Sequence, residues 1–120
     1  MRIAVPSMDD GGLQAMRSGH FGHAAYMTVV VVEDGKVVDV EVHKNADHDA
    51  VGCGGVIDYT IGLGVDAMLA AGMGRPPFMR FTQAGIKVYF DATQPMVGDA
   101  IDLLLQGKVE NMDISQACVH

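Results

Sequence analysis

The stretch Ala25-Tyr26-Met27-Thr28-Val29-Val30-Val31-Val32-Glu33-Asp34-Gly35-Lys36-Val37-Val38-Asp39-Val40-Glu41-Val42-His43 decides the fold. Two β-rich runs flank Asp34-Gly35, a pair suited to the positive φ values of a two-residue type I′ turn, so the segment reads as a hairpin. With that turn, Glu33 faces Lys36, Val31 faces Val38, Val29 faces Val40, Met27 faces Val42 and Tyr26 faces His43. One face is then Met/Val and buried. The other carries Thr28, Asp39, Glu41 and His43 and is at least partly wet.

Working outward, residues 2–8 form a short apolar strand, and residues 9–19 form a Gly-rich loop without periodicity, a kind of segment that is often functional. After the hairpin the pattern changes. Residues 52–63 carry Val56, Ile57, Thr60 and Ile61 at helical spacing. Runs 65–71 and 86–90 suit buried parallel strands. Pro76 opens a second helix that Gly85 stops, and Val97, Ala100, Ile101 and Leu104 form the stripe of a third between Pro95 and Gly107. The sum is an α/β domain: a mixed five-stranded sheet, with an antiparallel three-strand start and then parallel strands, and about three helices joined by right-handed crossovers. One domain spans residues 1–107, and residues 108–120 are a C-terminal tail.

The chain has 120 residues, 49% of them apolar, with 8 basic against 15 acidic side chains and a net charge of -7, which suits a single domain with a real core. An acidic balance without a Lys/Arg cluster argues against nucleic acid as a ligand. The longest nearly apolar run, residues 24–32, is far short of the roughly 20 residues a spanning helix needs, so no membrane partner is expected. The chain reads as cytoplasmic, with Cys53 and Cys118 reduced.

Topology also says where chemistry belongs. The connections at residues 9–23, 44–52, 71–75 and 91–94 gather at the carboxyl edge of the parallel strands, the usual ligand edge of open α/β sheets. His20, His23, His43 and His48 fall there, with Cys53 at a predicted helix start where free N–H groups favour thiolate. Imidazole and thiolate together suit Zn, Cu or iron-sulfur-type metals. The same residues also admit bland readings: His43 as a solvated strand-end side chain, His20 and His23 as loop residues bonded to backbone, Cys53 as a small buried hydrophobe. The glycine sets Gly52-Cys53-Gly54-Gly55 and Gly72-Met73-Gly74 place backbone N–H groups where they can hold an anion, and Met73 is a candidate thioether ligand. No P-loop, GxGxxG or GxSxG pattern is present. The acidic residues are expected to lie away from this edge, apart from Asp9, Asp10, Asp47 and Asp49 in its loops.

The residues Ser18-Gly19-His20-Phe21-Gly22-His23-Ala24-Ala25-Tyr26, the hairpin after them, and Gly64-Val65-Asp66 through Gly72-Met73-Gly74 to Ala84-Gly85-Ile86-Lys87-Val88-Tyr89 resemble the dinitrogenase iron-molybdenum cofactor biosynthesis family. The likeness covers roughly residues 2–107 and points to its small stand-alone members of the "orange protein" kind. It implies a ribonuclease-H-like fold and non-catalytic binding or carrying of a molybdenum-copper-sulfide or iron-molybdenum-sulfur cluster, with cluster-assembly or ATPase proteins as partners. His20, His23, His48 and Cys53, then His43, are the metal-ligand candidates, with Gly22, Gly52, Gly54, Gly72, Met73 and Gly74 around the cofactor. The competing reading is a protein interaction module with structural histidines, using Asp39 and Glu41 to meet a basic partner. A thiol enzyme built on Cys53 is the third.

Overall fold

Asp34 and Gly35 both adopt positive φ, 52° and 76°, and close the expected hairpin between β2 (Tyr26–Glu33) and β3 (Lys36–Lys44). The computed structural model describes residues 1–46 and 48–111, without the side chains of residues 48–51 and 53. The remaining elements are β1 (Arg2–Ser7), a single 3₁₀ turn (Gly12–Gln14), α1 (His48–Gly62), β4 (Ala67–Ala70), α2 (Arg75–Gln83), β5 (Lys87–Phe90), α3 (Val97–Leu105) and β6 (Glu110–Asn111).

They form one mixed sheet in the order β3-β2-β1-β4-β5-β6. β1 pairs antiparallel with β2 and parallel with β4, and β4 pairs parallel with β5. The fold class is the one read from the sequence, with a sixth strand added. The two-residue β6 pairs antiparallel with β5 beyond residue 107, a stretch too short to give a periodic signal.

The hairpin register departs from the regular one. Glu33 faces Lys36 and Val32 faces Val37, but a bulge between Val31 and Val32 then shifts the pairing, so Val31 faces Asp39, Val29 faces Glu41, Met27 faces His43 and Tyr26 faces Lys44. One extra residue on β3 flips every later side chain to the other face. Thr28 is thereby separated from Asp39, Glu41 and His43. It is buried, and its hydroxyl shares a 2.6 Å hydrogen bond with Ser7.

Alternation along β1 and β2 splits the core in two. Ala4, Met27 and Val29 pack with Met68 and Ala70 against Val56 and Ile57 of α1 and Phe81 of α2. Ile3, Val5, Val30 and Val32 pack with Leu69 against Val97, Ala100 and Ile101 of α3. The central strands, buried on both faces, thus read as near-continuous apolar runs. Within α1 the backbone breaks at Gly52 (φ 72°, ψ 176°), a conformation open essentially to glycine alone. Helical structure starts afresh at Cys53, close to where the apolar spacing placed it.

Candidate functional site

The connections expected at the carboxyl edge do meet there. Ser7 at the end of β1 pairs with Arg17, and Met16 pairs with Met96 just before α3. Ser18 N–H donates to Pro6 O (2.9 Å), Arg17 N–H to Pro95 O (2.8 Å) and Phe21 N–H to Gly72 O (3.3 Å). Asn45 fastens the end of β3 to the same loop: its N–H donates to Ala25 O and its Nδ2 to Ala24 O.

Phe21 anchors the loop that carries two of the candidate histidines. Its ring is buried edge-on against Phe81, with centroids 5.2 Å apart. The chain turns around that anchor and leaves His20 and His23 exposed on either side of it. Ser18 stiffens the approach, its Oγ donating to His20 O (2.9 Å) and accepting from His20 N–H (3.3 Å). Gly22 lies in the turn between the histidines.

His43 is placed differently. Its Nε2 is bonded to Glu41 Oε1 at 2.9 Å, and Glu41 also accepts both terminal nitrogens of Arg2, at 2.6 and 3.1 Å. The hydrogen bonds from Arg2 and then His43 outweigh desolvation and pull the Glu41 carboxyl down to about 2. His43 therefore belongs to an ion-pair cluster on β3, which fits the strand-end reading better than the ligand reading. The side chains of His48 and Cys53 lie outside the described residues, although both backbones belong to α1 and Cys53 directly follows its break. Among the described residues no set of three His, Cys, Asp or Glu side chains is grouped to hold a metal ion.

The second glycine set serves packing more than anion binding. A Cβ on Gly72 would stand 2.3 Å from Gly19 O, so glycine is needed for these two loops to touch. Met73 is 2% exposed within the α1/α2 core, which corrects its assignment as a cofactor contact. Gly74 caps α2, but Arg75, Pro76 and Pro77 follow, and two of the first three helical positions lack an N–H. That terminus is a poor anion cradle. By contrast Gly52 and Gly54 flank the restart of α1, where the first N–H groups have no intrahelical acceptor.

Two residues central to this edge escape a reading by motif. Arg17 is inward-facing, its side chain 3% exposed, with Nη1 donating to Asp91 Oδ2 (3.2 Å) and Gln94 O (3.0 Å). Its Nε and Nη2 are buried without a hydrogen-bond partner among the described residues. Burial lowers the Arg17 pKa against the opposing pull of Asp91. Burial raises the Asp91 carboxyl too, but hydrogen bonds from the Thr93 hydroxyl and the N–H groups of Gln94 and Thr93, with the charge of Arg17, leave it below the usual range. Asp91 thus brings an acidic group to the edge that was expected to exclude one, and Arg17 neutralises it. The only local signal was position: Asp91 follows an apolar strand directly. A separate open groove of about 280 Å³, lined by Phe78, Thr82, Ile86 and Val88, lies between α2 and β5, near the start of β5 and away from these loops.

A mixed sheet with its loops and exposed imidazoles gathered at the carboxyl edge defines an open α/β domain of the kind whose ligand edge lies there. The match of residues 1–107 to the family model described as dinitrogenase iron-molybdenum cofactor shows that the chain belongs to that family. It is 29% identical over 115 residues to the uncharacterised protein MJ0580 of Methanocaldococcus jannaschii, covering 94% of this chain and 92% of that one. The crystal structure of PH0822 superposes with a TM-score of 0.80 at 29% identity, covering 93% of this chain and 96% of that chain. The apo form of the orange protein from Desulfovibrio gigas gives 0.78 at 26% identity, with 92% of each chain covered.

Proposed function

We propose that this chain binds and carries a molybdenum-containing metal-sulfur cluster at the loop edge, without transforming it chemically. Family membership supports a role connected with cofactor assembly. The observation that carries the reading is the pair His20 and His23, held outward from a loop whose backbone is pinned by buried Phe21 and by Gly72. A loop backbone fixed in this way lowers the ordering cost of offering imidazole nitrogens as metal ligands. His48 and Cys53 are the proposed further ligands from α1. The N–H groups after Gly52 suit an anionic sulfide cluster, which a helix start favours electrostatically. Cluster-assembly or ATPase proteins are the proposed donors or acceptors.

The interaction-module reading is weaker, because Glu41 on the acidic strand is already engaged by Arg2 and His43. The direct test is reconstitution of the full chain with tetrathiomolybdate and copper. A stoichiometric, protein-bound visible chromophore is expected, and its loss in the double variant His20→Ala/His23→Ala. Failure of the unaltered chain to form the chromophore overturns the proposal. Cys53→Ala then separates thiolate ligation from cradling by backbone N–H groups.

A further inference from the structure

The segment that closes the loop edge alternates, sending Arg17 inward and Met16 outward. On one side of it, Met8 N–H donates to Met16 O (2.8 Å) and Ser18 N–H to Pro6 O (2.9 Å), bracketing the antiparallel pair Ser7–Arg17. One residue further along, Met8 stands across from Met16. On the other side, Arg17 N–H donates to Pro95 O (2.8 Å) and Val97 N–H to Ala15 O (3.0 Å), bracketing the pair Met16–Met96. Three methionines therefore occupy one row across three adjacent extended segments, on the face opposite buried Arg17. Facing Cβ atoms in such pairs lie about 4.5–5.5 Å apart, within reach of one another's flexible thioethers. Met8 is 62% exposed and Met16 46%, unlike core methionines such as Met27, Met68 and Met73. Asp9 adds a carboxylate beside the row, its Oδ2 accepting Met16 N–H at 3.2 Å.

We propose that Met8, Met16 and Met96 form a soft-metal site that takes one Cu(I) ion through their thioether sulfurs. Thioethers are neutral, polarizable donors that select Cu(I) over hard cations such as Mg or Ca. A chain of net charge -7 attracts a cation to such a neutral donor set. The site shares no residue with the proposed cluster ligands, so each stands or falls separately.

The test uses the full chain with Cys53→Ser and Cys118→Ser, so that thiolates do not compete, and with methionine methyls labelled for NMR. Cu(I) is supplied anaerobically from a chromophoric chelator. One equivalent is expected to bind, moving the methyl signals of Met8, Met16 and Met96 together and leaving the other methionines in place. Met16→Leu, at the centre of the row, is expected to weaken Cu(I) binding at least tenfold. That swap conserves volume and keeps the fold, which the unchanged remaining methyl spectrum verifies. Met79→Leu, at an exposed methionine of α2 outside the row, is expected to leave Cu(I) affinity unchanged. Absence of Cu(I) binding, shifts centred on other methionines, unaltered affinity in Met16→Leu, or loss of affinity in Met79→Leu each overturns the site.

Discussion

Two arginines at opposite ends of β1 show how differently the two edges of this sheet are built. Near the hairpin-turn edge, Arg2 has partners for both terminal nitrogens and its backbone: both terminal nitrogens bond Glu41, one also bonds Leu63 O at 3.0 Å, and its backbone N–H bonds Asp66 at 2.8 Å. Its side chain is 32% exposed, so water screens the pair. At the loop edge, Arg17 is sealed in and has one carboxylate, one carbonyl and two nitrogens without a partner among the described residues. Buried donors left unmatched cost free energy, and such cost concentrates where function is housed. The turn edge is organised for stability, and the loop edge tolerates strain while presenting histidines and methionines to solvent.

The contrast can be broken most strongly at Arg17. Arg17→Met removes the partner of a largely buried carboxylate and is expected to cost about 3 kcal/mol in urea denaturation. A loss below about 1 kcal/mol would mean that Asp91 is adequately held by Thr93 and Gln94 alone. Gly72→Ala forces a Cβ onto a carbonyl of the 16–23 loop. A loss of about 2 kcal/mol is expected, together with changed amide shifts at His20 to His23, since the two loops must part.

At the other edge effects should be smaller. Arg2→Met is expected to cost less than about 1 kcal/mol, as for other solvent-screened ion pairs, and less again at high salt. The smallest effect is the pH response of Glu41. Its carboxyl is held at about 2 against an ordinary 4.5, so its stabilising contribution is complete above 4.5 and is lost as pH falls through 2. The difference in Tm between the unaltered chain and Glu41→Gln should therefore be constant near neutrality and shrink as the pH is lowered through that window. A constant difference down to the lower limit would show that the ion pair contributes nothing.

The hairpin and its turn, the three helices with their apolar stripes, and the gathering of loops at one edge were legible because each rests on local pattern or on strand direction. Gly85 and Gly107 stop α2 and α3 with positive φ where their positions predicted. The bulge at Val31/Val32 was not legible, because a run of valines reads alike in either register. That single shift took Asp39, Glu41 and His43 to the face away from Thr28 and brought Glu41 into line with Val29, where Arg2 and His43 reach it. Within the candidate site, exposed His20 and His23 agree with their loop assignment. Met73 does not, since its flanking glycines gave no indication that it would join the buried cluster of Phe81 and Val56.

Sequence alone, then, determined the class of fold, the direction of its strands and the edge at which its loops meet, because apolar periodicity and turn chemistry act over a few residues. Only the tertiary structure decided which side chains share that edge. Arg17 and Asp91, or Met8, Met16 and Met96, are far apart along the chain and carry no common motif. Backbone register across separate segments brings them together, and register is fixed by packing of the whole core.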